Sequence, residues 1–196
     1  MADIKSAFEI AREKIEKLGE ATEDEKLKWK YMPQGEQLAA KYLKEDINLV
    51  AEVTKFPEQA KKHIKQGAAE VLIHNISLPK NDFVKNTNKK LMEGLRLLKS
   101  NRAELENVYS RIRRLFDHYA EQGEQQRQKA YQSLKNNFEV KARQAVQQQL
   151  GSTLGMRIDV ERLPQFQMEW RKLMNEMDSQ YMVHLNEYRR ELLEIL

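Results

Sequence analysis

A recurrence of large apolar residues at every seventh position dominates the middle of this chain and constrains its fold more than any other feature. The series is Val84, Leu91, Leu98, Leu105, Ile112 and Tyr119, with Leu95, Tyr109 and Phe116 at the interleaved positions. Such a seam, about five heptads long, is typical of a helix that buries one stripe against other helices. Asn88 and Arg102 also fall on interleaved positions, where polar residues lower stability but fix register and partner number. The sequence therefore predicts a long coiled-coil-like helix here.

The composition favours helices in the rest of the chain as well. Only 7 glycines and 4 prolines occur in 196 residues, too few turn-forming residues for a many-stranded barrel or sandwich. The absence of cysteine excludes disulfides, thiolate nucleophiles and Cys-ligated metal sites. No stretch approaches the ~18 uninterrupted apolar residues that a membrane span requires, and residues 1–18 are typical of an amphipathic helix rather than a signal peptide. We therefore predict a cytoplasmic, all-α protein.

Punctuating residues divide the chain into four predicted segments. Thr22 and Glu25 have capping-box spacing at the start of a helix, which we expect to end near Met32 because Pro33 follows. At the Gln-rich run around Gly123 two interpretations stay open, since either one solvated helix continues or the chain breaks there. The segments are residues 1–80, with about four helices; residues 81–150, the long central helix; residues 151–163, a connecting turn; and residues 164–196, a final helix that packs back on residues 130–150. The predicted architecture is an elongated antiparallel helical bundle or hairpin, in which the helices of residues 3–78 pack against the seam.

The basic charge is concentrated in the middle of the chain. Residues 82–150 carry 14 basic and 8 acidic side chains, whereas residues 151–196 carry 6 and 8. An anionic partner should therefore bind the middle segment. The candidate anion contacts are Lys89, Lys90, Arg111, Arg113 and Arg114. As the solvated flank of a coiled coil these side chains need no ligand, and no nucleic-acid-binding motif accompanies them.

The sequence indicates neither an enzyme nor a metal site. Ferritin-like sites need Glu-x-x-His pairs, whereas Glu70 and His74 are four residues apart. We expect His63 to be partly exposed and His74 and His184 to be packed. The segment Gly151–Gly155 lacks the lysine of a phosphate loop and the serine of a hydrolase elbow, so we interpret it as a turn. We expect no catalytic residue, no cofactor and no bound metal.

The predicted helices carry more apolar surface than one bundle needs, and the sequence contains no catalytic motif. Together with the basic middle segment, these features suggest two possible functions. The first is a non-enzymatic helical scaffold or assembly protein that acts through helix–helix contacts and self-associates, so that the expected partner is a protein, including a second copy of the chain. The alternative is peripheral binding to an anionic surface, lipid or nucleic acid, through the basic face of residues 82–143. The two differ in salt dependence, because electrostatic binding weakens steeply with salt and apolar helix pairing does not.

Overall fold

The computed structural model describes residues 21–45, 47–150 and 159–195, and the chain is all-α, as predicted. The α-helices are α1 (Glu23–Lys44), α2 (Leu49–Thr54), α3 (Glu58–Asn75), α4 (Asp82–Leu98), α5 (Arg102–Leu150) and α6 (Pro164–Glu194), and a 3₁₀ turn, Val160–Arg162, precedes α6. Among the described residues there is no β-strand, and none of the helices is long and apolar enough to cross a membrane. The first predicted helix, residues 3–18, and the Gly151–Gly155 turn lie outside the described residues.

The chain forms two compact units, each built from segments that are not contiguous in sequence. Unit 1 takes the described residues within Met1–Ile76, Thr87–Leu105 and Leu192–Leu196. Unit 2 takes those within Ser77–Asn86 and Glu106–Glu191. Helices α4, α5 and α6 each contribute to both units, so the predicted division at residues 80, 150 and 163 does not coincide with the units.

In unit 1, α1 and α3 run in the same direction. Asp24, in the first turn of α1, contacts His63 near the start of α3. Further along both helices, Tyr42 of α1 and Leu72 of α3 lie against Gly94 of α4. Between α1 and α3 the chain turns back along α1, and the ring of Phe56, just before α3, packs edge-to-face on Tyr31 of α1.

Two glycines set the distance between α1 and α3. A Cβ atom added to Gly35 would lie well under 3.0 Å from the carbonyl oxygen of Ile64, and one added to Gly67 equally close to that of Met32. Each helix therefore presents a glycine to the backbone of the other. Only residues without a side chain permit an approach this close, in which Cα–H groups face carbonyl oxygens.

The prediction that a helix ends near Met32 is wrong, because α1 continues through Pro33 to Lys44. Proline removes one backbone donor and strains one turn, which costs about 3 kcal/mol in a helix interior. Pro33 is exposed, so its ring does not disturb the side of α1 that packs against α3. The buried contacts of α1 offset the local cost.

The capping box predicted at the start of α1 is confirmed. Thr22 Oγ1 accepts a hydrogen bond from the Glu25 amide at 3.2 Å, and the Glu25 carboxylate accepts one from the Thr22 amide at 2.8 Å.

The central segment is not one helix from residue 81 to 150, and its interruption lies at Lys99–Asn101 rather than at Gly123. Asn101 starts α5 as a cap, with its Oδ1 accepting from the Glu104 amide at 3.3 Å. Lys99 is buried, and its ammonium donates to the carbonyl oxygen of Leu192 at 3.0 Å. Helix α5 runs through Gly123 without a break, which decides between the two interpretations of the Gln-rich run.

Burial follows the seven-residue series across this interruption. The buried members of the predicted seam are Leu91, Leu95, Leu98, Leu105, Tyr109, Ile112 and Tyr119. Asn88 is buried with them, whereas Arg102 lies exposed in the first turn of α5. Arg102 is thus not a charge enclosed in the seam, because the interruption moves it to a helix start.

In unit 2, α5 and α6 form an antiparallel hairpin. Near one end of the hairpin Arg111 pairs with Glu191, and near the other the ring of Phe138 packs on Phe166. The contacts therefore begin well before residue 130, so α6 packs along more of α5 than residues 130–150.

Candidate functional site

The C-terminal half of α5 and the N-terminal half of α6 form what we call the distal half of their hairpin. This half carries an apolar stripe that we call the open seam. Its members on α5 are Tyr131, Leu134, Phe138, Ala142 and Val146, and those on α6 are Phe166, Trp170, Leu173 and Met177. Phe166 is buried, and every other member is only partly buried. By contrast, Ile112, Tyr119 and Leu185 are buried in the proximal half of the hairpin, which the N-terminal half of α5 and the C-terminal half of α6 form. Two helices alone shield a narrow line of contact, so a wider stripe stays accessible along both edges.

The difference in burial between the two halves of the hairpin is also seen along α5 alone. From Ala120 to Gln148 its only buried residue is Gly123. A continuous partly exposed stripe of this length differs from the single apolar side chains that are scattered on most protein surfaces. The stripe is therefore an extended apolar surface rather than a set of isolated side chains.

Aromatic rings hold the two helices together within the open seam. Tyr131 meets Phe166 with ring centroids 5.6 Å apart and Trp170 with centroids 5.0 Å apart, and Phe138 meets Phe166 at 5.4 Å. All three pairs are edge-to-face, a geometry worth about 0.5–1.5 kcal/mol per pair beyond the area buried. The seam is therefore preformed rather than dependent on a partner for its shape.

A buried polar cluster separates the open seam from the proximal half of the hairpin. Asp178 is its centre, accepting a hydrogen bond from the Tyr119 hydroxyl at 3.0 Å and pairing with the Lys80 ammonium at 2.5 Å. Burial, together with the hydrogen bond and charge of Asp178, raises the pKa of Tyr119 to about 12. Sequence reasoning missed Lys80 and Asp178, since nothing in their spacing indicates that residues so far apart meet.

Arg127 and Gly123 explain why the apolar pattern vanishes in the Gln-rich run. The Arg127 guanidinium lies 4.4 Å from the ring centroid of Tyr119 and donates to its carbonyl oxygen at 3.1 Å. A Cβ atom at Gly123 would lie 3.0 Å from the Tyr181 hydroxyl oxygen and 3.1 Å from Arg127 Nη1. A glycine and an arginine thus occupy the positions that face α6, and the helix packs there without apolar side chains.

Two of the three arginines predicted to contact anions are already paired with carboxylates. Arg111 donates through both terminal nitrogens to the Glu191 carboxylate, at 2.9 Å for the Nη1 contact, and this hydrogen bonding raises the pKa of Arg111. Arg113 pairs with Glu106. Arg114 is exposed and has no ion pair within the part of the chain that the structure describes. The carboxylates thus account for two of the three guanidinium groups.

The two lysines predicted to contact anions belong to unit 1, whereas the arginines belong to unit 2. The Lys90 ammonium lies 5.1 Å from the ring centroid of Tyr42 and 3.4 Å from the carbonyl oxygen of Glu45. Lys89 is exposed, without an ion pair among residues 21–45, 47–150 and 159–195. Of the five candidates, Lys89 and Arg114 are therefore the ones that keep an uncommitted charge.

The histidines differ from their predicted environments. His63 is buried, with Nε2 3.1 Å from a carboxylate oxygen of Asp24, because the second turn of α3 lies beside the first turn of α1. His74 and His184 are both exposed, so their predicted packing is wrong. Within the described ranges no three acidic or histidine side chains come together as metal ligands would.

Fold and site together define an all-α protein whose distinctive surface is a hairpin with an open apolar seam. The chain belongs to a family of unknown function, DUF6657, whose model matches residues 50–194. That match begins inside α2 and covers both helices of the hairpin. No curated protein and no solved structure matches the chain.

Proposed function

We propose that this chain is a non-enzymatic helical scaffold or assembly protein of the cytoplasm, which acts through coiled-coil-like contacts of the open seam. The observation that carries the proposal is the apolar stripe from Tyr131 to Val146, whose members recur every three or four residues and are all partly exposed. A soluble chain that keeps such a stripe accessible has a surface suited to another helix.

The free energy expected from covering the open seam favours binding at this surface. Covering a further ~50 Å² on one seam side chain yields about 1 kcal/mol at ~25 cal/mol per Å². The aromatic members, Tyr131, Phe138 and Trp170, are of the residue types that dominate interface energetics. Because the ring contacts already fix the shape of the seam, little conformational entropy is lost on association.

An alternative is peripheral binding to a lipid or nucleic-acid surface through the basic face of residues 82–143. Lys89 and Arg114 support it, since both are exposed and carry charges without a partner among the described residues. The pairing of Arg111 with Glu191 and of Arg113 with Glu106 weakens it, because those carboxylates would have to be displaced or tolerated by the anion. The alternative is therefore our second choice.

Photocrosslinking in living host cells tests the proposal, with a photoreactive amino acid incorporated at one position of the chain in each variant. One variant carries it in place of Phe138, within the open seam. Its control carries it in place of Val140, two residues further along α5 and 54% exposed. We expect a covalent protein adduct from position 138 and little from position 140. No adduct from either position, or equal adducts from both, would contradict a scaffold that acts through the seam.

The alternative is checked with anionic vesicles and single-stranded nucleic acid at low salt and at a few hundred millimolar salt. Binding that disappears at the higher salt and in an Arg114→Glu variant would support the anionic-surface function. No binding at low salt would exclude it.

A further inference from the structure

We infer that residues 99–101 are an exchange hinge, through which two copies of this chain swap the part that precedes residue 99. In the exchanged dimer α4 and α5 join into one continuous helix, and the N-terminal part of each chain packs against the remainder of the other chain. The open seam is not involved, because α5 and α6 stay together in each chain. The inference therefore goes beyond the proposed function and does not depend on it.

Helices α4 and α5 form a hairpin with a three-residue turn, since α4 ends at Leu98 and α5 begins at Arg102. At the other end of this hairpin, Lys80, which precedes α4, and Tyr119 of α5 both bind the carboxylate of Asp178. A straight helix from the start of α4 to Tyr119 would be about 55 Å long at 1.5 Å per residue. Its two ends could not reach one side chain, so the chain doubles back at the turn.

The seven-residue apolar series continues through this turn without a shift. Leu91 and Leu98 of α4 and Leu105 and Ile112 of α5 are all buried. In a hairpin the two apolar stripes need only face each other, so the spacing across the turn is free to vary. In a continuous helix only a heptad spacing keeps the stripe on one side. The preserved spacing is therefore a property that the hairpin does not need and the joined helix does.

The turn also lacks the residues that would prevent it from becoming helical. It consists of Lys99, Ser100 and Asn101, and residues 95–122 contain neither glycine nor proline. Helices commonly end at a left-handed glycine, and a proline would block helix continuation. Instead, the Asn101 cap on α5 and the hydrogen bond from Lys99 to the Leu192 carbonyl oxygen hold the turned form. Joining the helices replaces that cap with the backbone hydrogen bonds of a helix interior.

Only a second copy can cover what the opened hinge exposes. Opening one chain alone would uncover Leu91, Leu95, Leu105 and Ile112, which are buried in the turned form. A second copy opened in the same way supplies the identical surfaces, so the contacts outside the hinge form again between chains. A helix of a different protein does not carry those surfaces.

Hinge variants test whether helix continuity controls the exchange. The full-length chain is unfolded in urea and refolded at a few hundred micromolar, and light scattering on a sizing column then measures monomer and dimer. Ser100→Ala/Asn101→Ala favours the joined helix, and Ser100→Gly/Asn101→Gly is the matched control, since both positions are exposed. Glycine disfavours a helix interior at two positions in each chain, so the association constant of the alanine variant should be at least tenfold higher. Equal dimer fractions, or no dimer in the alanine variant, would overturn the inference.

Spin labels distinguish exchange from any other dimer. The chain has no cysteine, so Lys85→Cys/Arg114→Cys carries labels at two exposed positions only. Refolding it with a tenfold excess of unlabelled chain yields dimers that contain one labelled copy. The two positions are about 44 Å apart along a joined helix, whereas in the hairpin they lie opposite each other within about 25 Å.

We expect the long label distance in the dimer and the short one in the monomer. A dimer that shows only the short distance would overturn the exchange hinge. Absence of a photocrosslinked adduct at residue 138 contradicts the proposed function and not the hinge, so the two failures are distinguishable.

Discussion

Replacing Gly67 by alanine tests the account of how α1 and α3 meet. Two effects oppose each other. Alanine favours a helix interior over glycine by about 1 kcal/mol. Against this, the new Cβ would lie well under 3.0 Å from the Met32 carbonyl oxygen, whereas comparable carbon–oxygen contacts are roughly 3.3–3.6 Å. The obstacle is backbone, so the two helices must separate by about 1 Å, a gap that forfeits a quarter to a half of the dispersion energy of the atoms involved.

The expected result is a net loss of stability. Overpacking a well-packed core costs ~1–3 kcal/mol, and the rigid obstacle places Gly67→Ala at the upper end of that range. After the gain in helix propensity, the free energy of unfolding should fall by about 2 kcal/mol. Urea unfolding followed by circular dichroism measures the change.

Gly123→Ala is the matched control. Its nearest obstacles are the ends of the Tyr181 and Arg127 side chains, at 3.0 and 3.1 Å, which can move aside. The propensity gain should offset most of that cost, leaving the free energy of unfolding within about 1 kcal/mol of the wild type. A Gly35→Ala/Gly67→Ala double variant should lose less than the sum of the single losses, because one separation of the helices relieves both contacts. If Gly67→Ala is as stable as the wild type, or loses no more than Gly123→Ala, the close approach of α1 and α3 is not as described.

Three further predictions concern the buried seam, the cap of α5 and the polar cluster. Leu98→Ala and Leu105→Ala should each lower the free energy of unfolding by about 2–4 kcal/mol, because both side chains are buried, whereas Glu121→Ala on the exposed face should leave it nearly unchanged; equal losses in urea titrations would contradict the burial pattern. Asn101→Ala should cost about 1 kcal/mol and increase amide exchange in the first turn of α5, with Asn101→Asp as the control that keeps the cap. Since the pKa of Tyr119 is raised to about 12, its neutral form is favoured in the folded state, and stability should fall as pH rises from about 10 to about 12. Ultraviolet titration should show a phenol with a pKa of about 12 that Tyr119→Phe removes, and a wild-type titration without it would refute the burial of this hydroxyl.

The sequence predicted the helical class and the buried stripe because both depend on local periodicity. Leu91, Leu98 and Leu105 are buried as their spacing indicates. The same periodicity concealed the interruption at Lys99–Asn101, since Leu98 and Leu105 stay seven residues apart whether or not the residues between them are helical. A test based on spacing is insensitive to a break that preserves phase.

Local rules misjudged Pro33, where a helix was predicted to end, and left open whether the helix continues through Gly123. Pro33 lies inside α1 and Gly123 inside α5, because tertiary contacts outweigh a propensity cost of roughly 1–3 kcal/mol. Gly123 is a contact position rather than a turn, as its proximity to Tyr181 shows. That information lies in a residue on another helix, which the local sequence does not contain.

The candidate site was only partly accessible from sequence. The apolar members of α5 and α6 were visible as stripes, but their incomplete burial depends on how many helices surround them. The pairing of Arg111 with Glu191 joins residues 80 positions apart, and the tie between Lys80 and Asp178 spans a still longer stretch. Such pairs follow from the meeting of helices in space, so charge counting alone overstated the free basic surface.

The contact between Lys99 and Leu192 has a consequence for the order in which this protein becomes complete during synthesis. Burial lowers the pKa of Lys99, so its ammonium is held in an unfavourable environment, which the Leu192 carbonyl oxygen partly compensates. That oxygen is translated only after all of unit 2. A nascent chain released as far as Leu105 therefore lacks, of unit 1, only the segment from Leu192 onward, whose carbonyl oxygen accepts the hydrogen bond from Lys99. A fragment ending before residue 192 would keep that buried ammonium without its acceptor, so unit 1 should not be separable from the rest by a single cut.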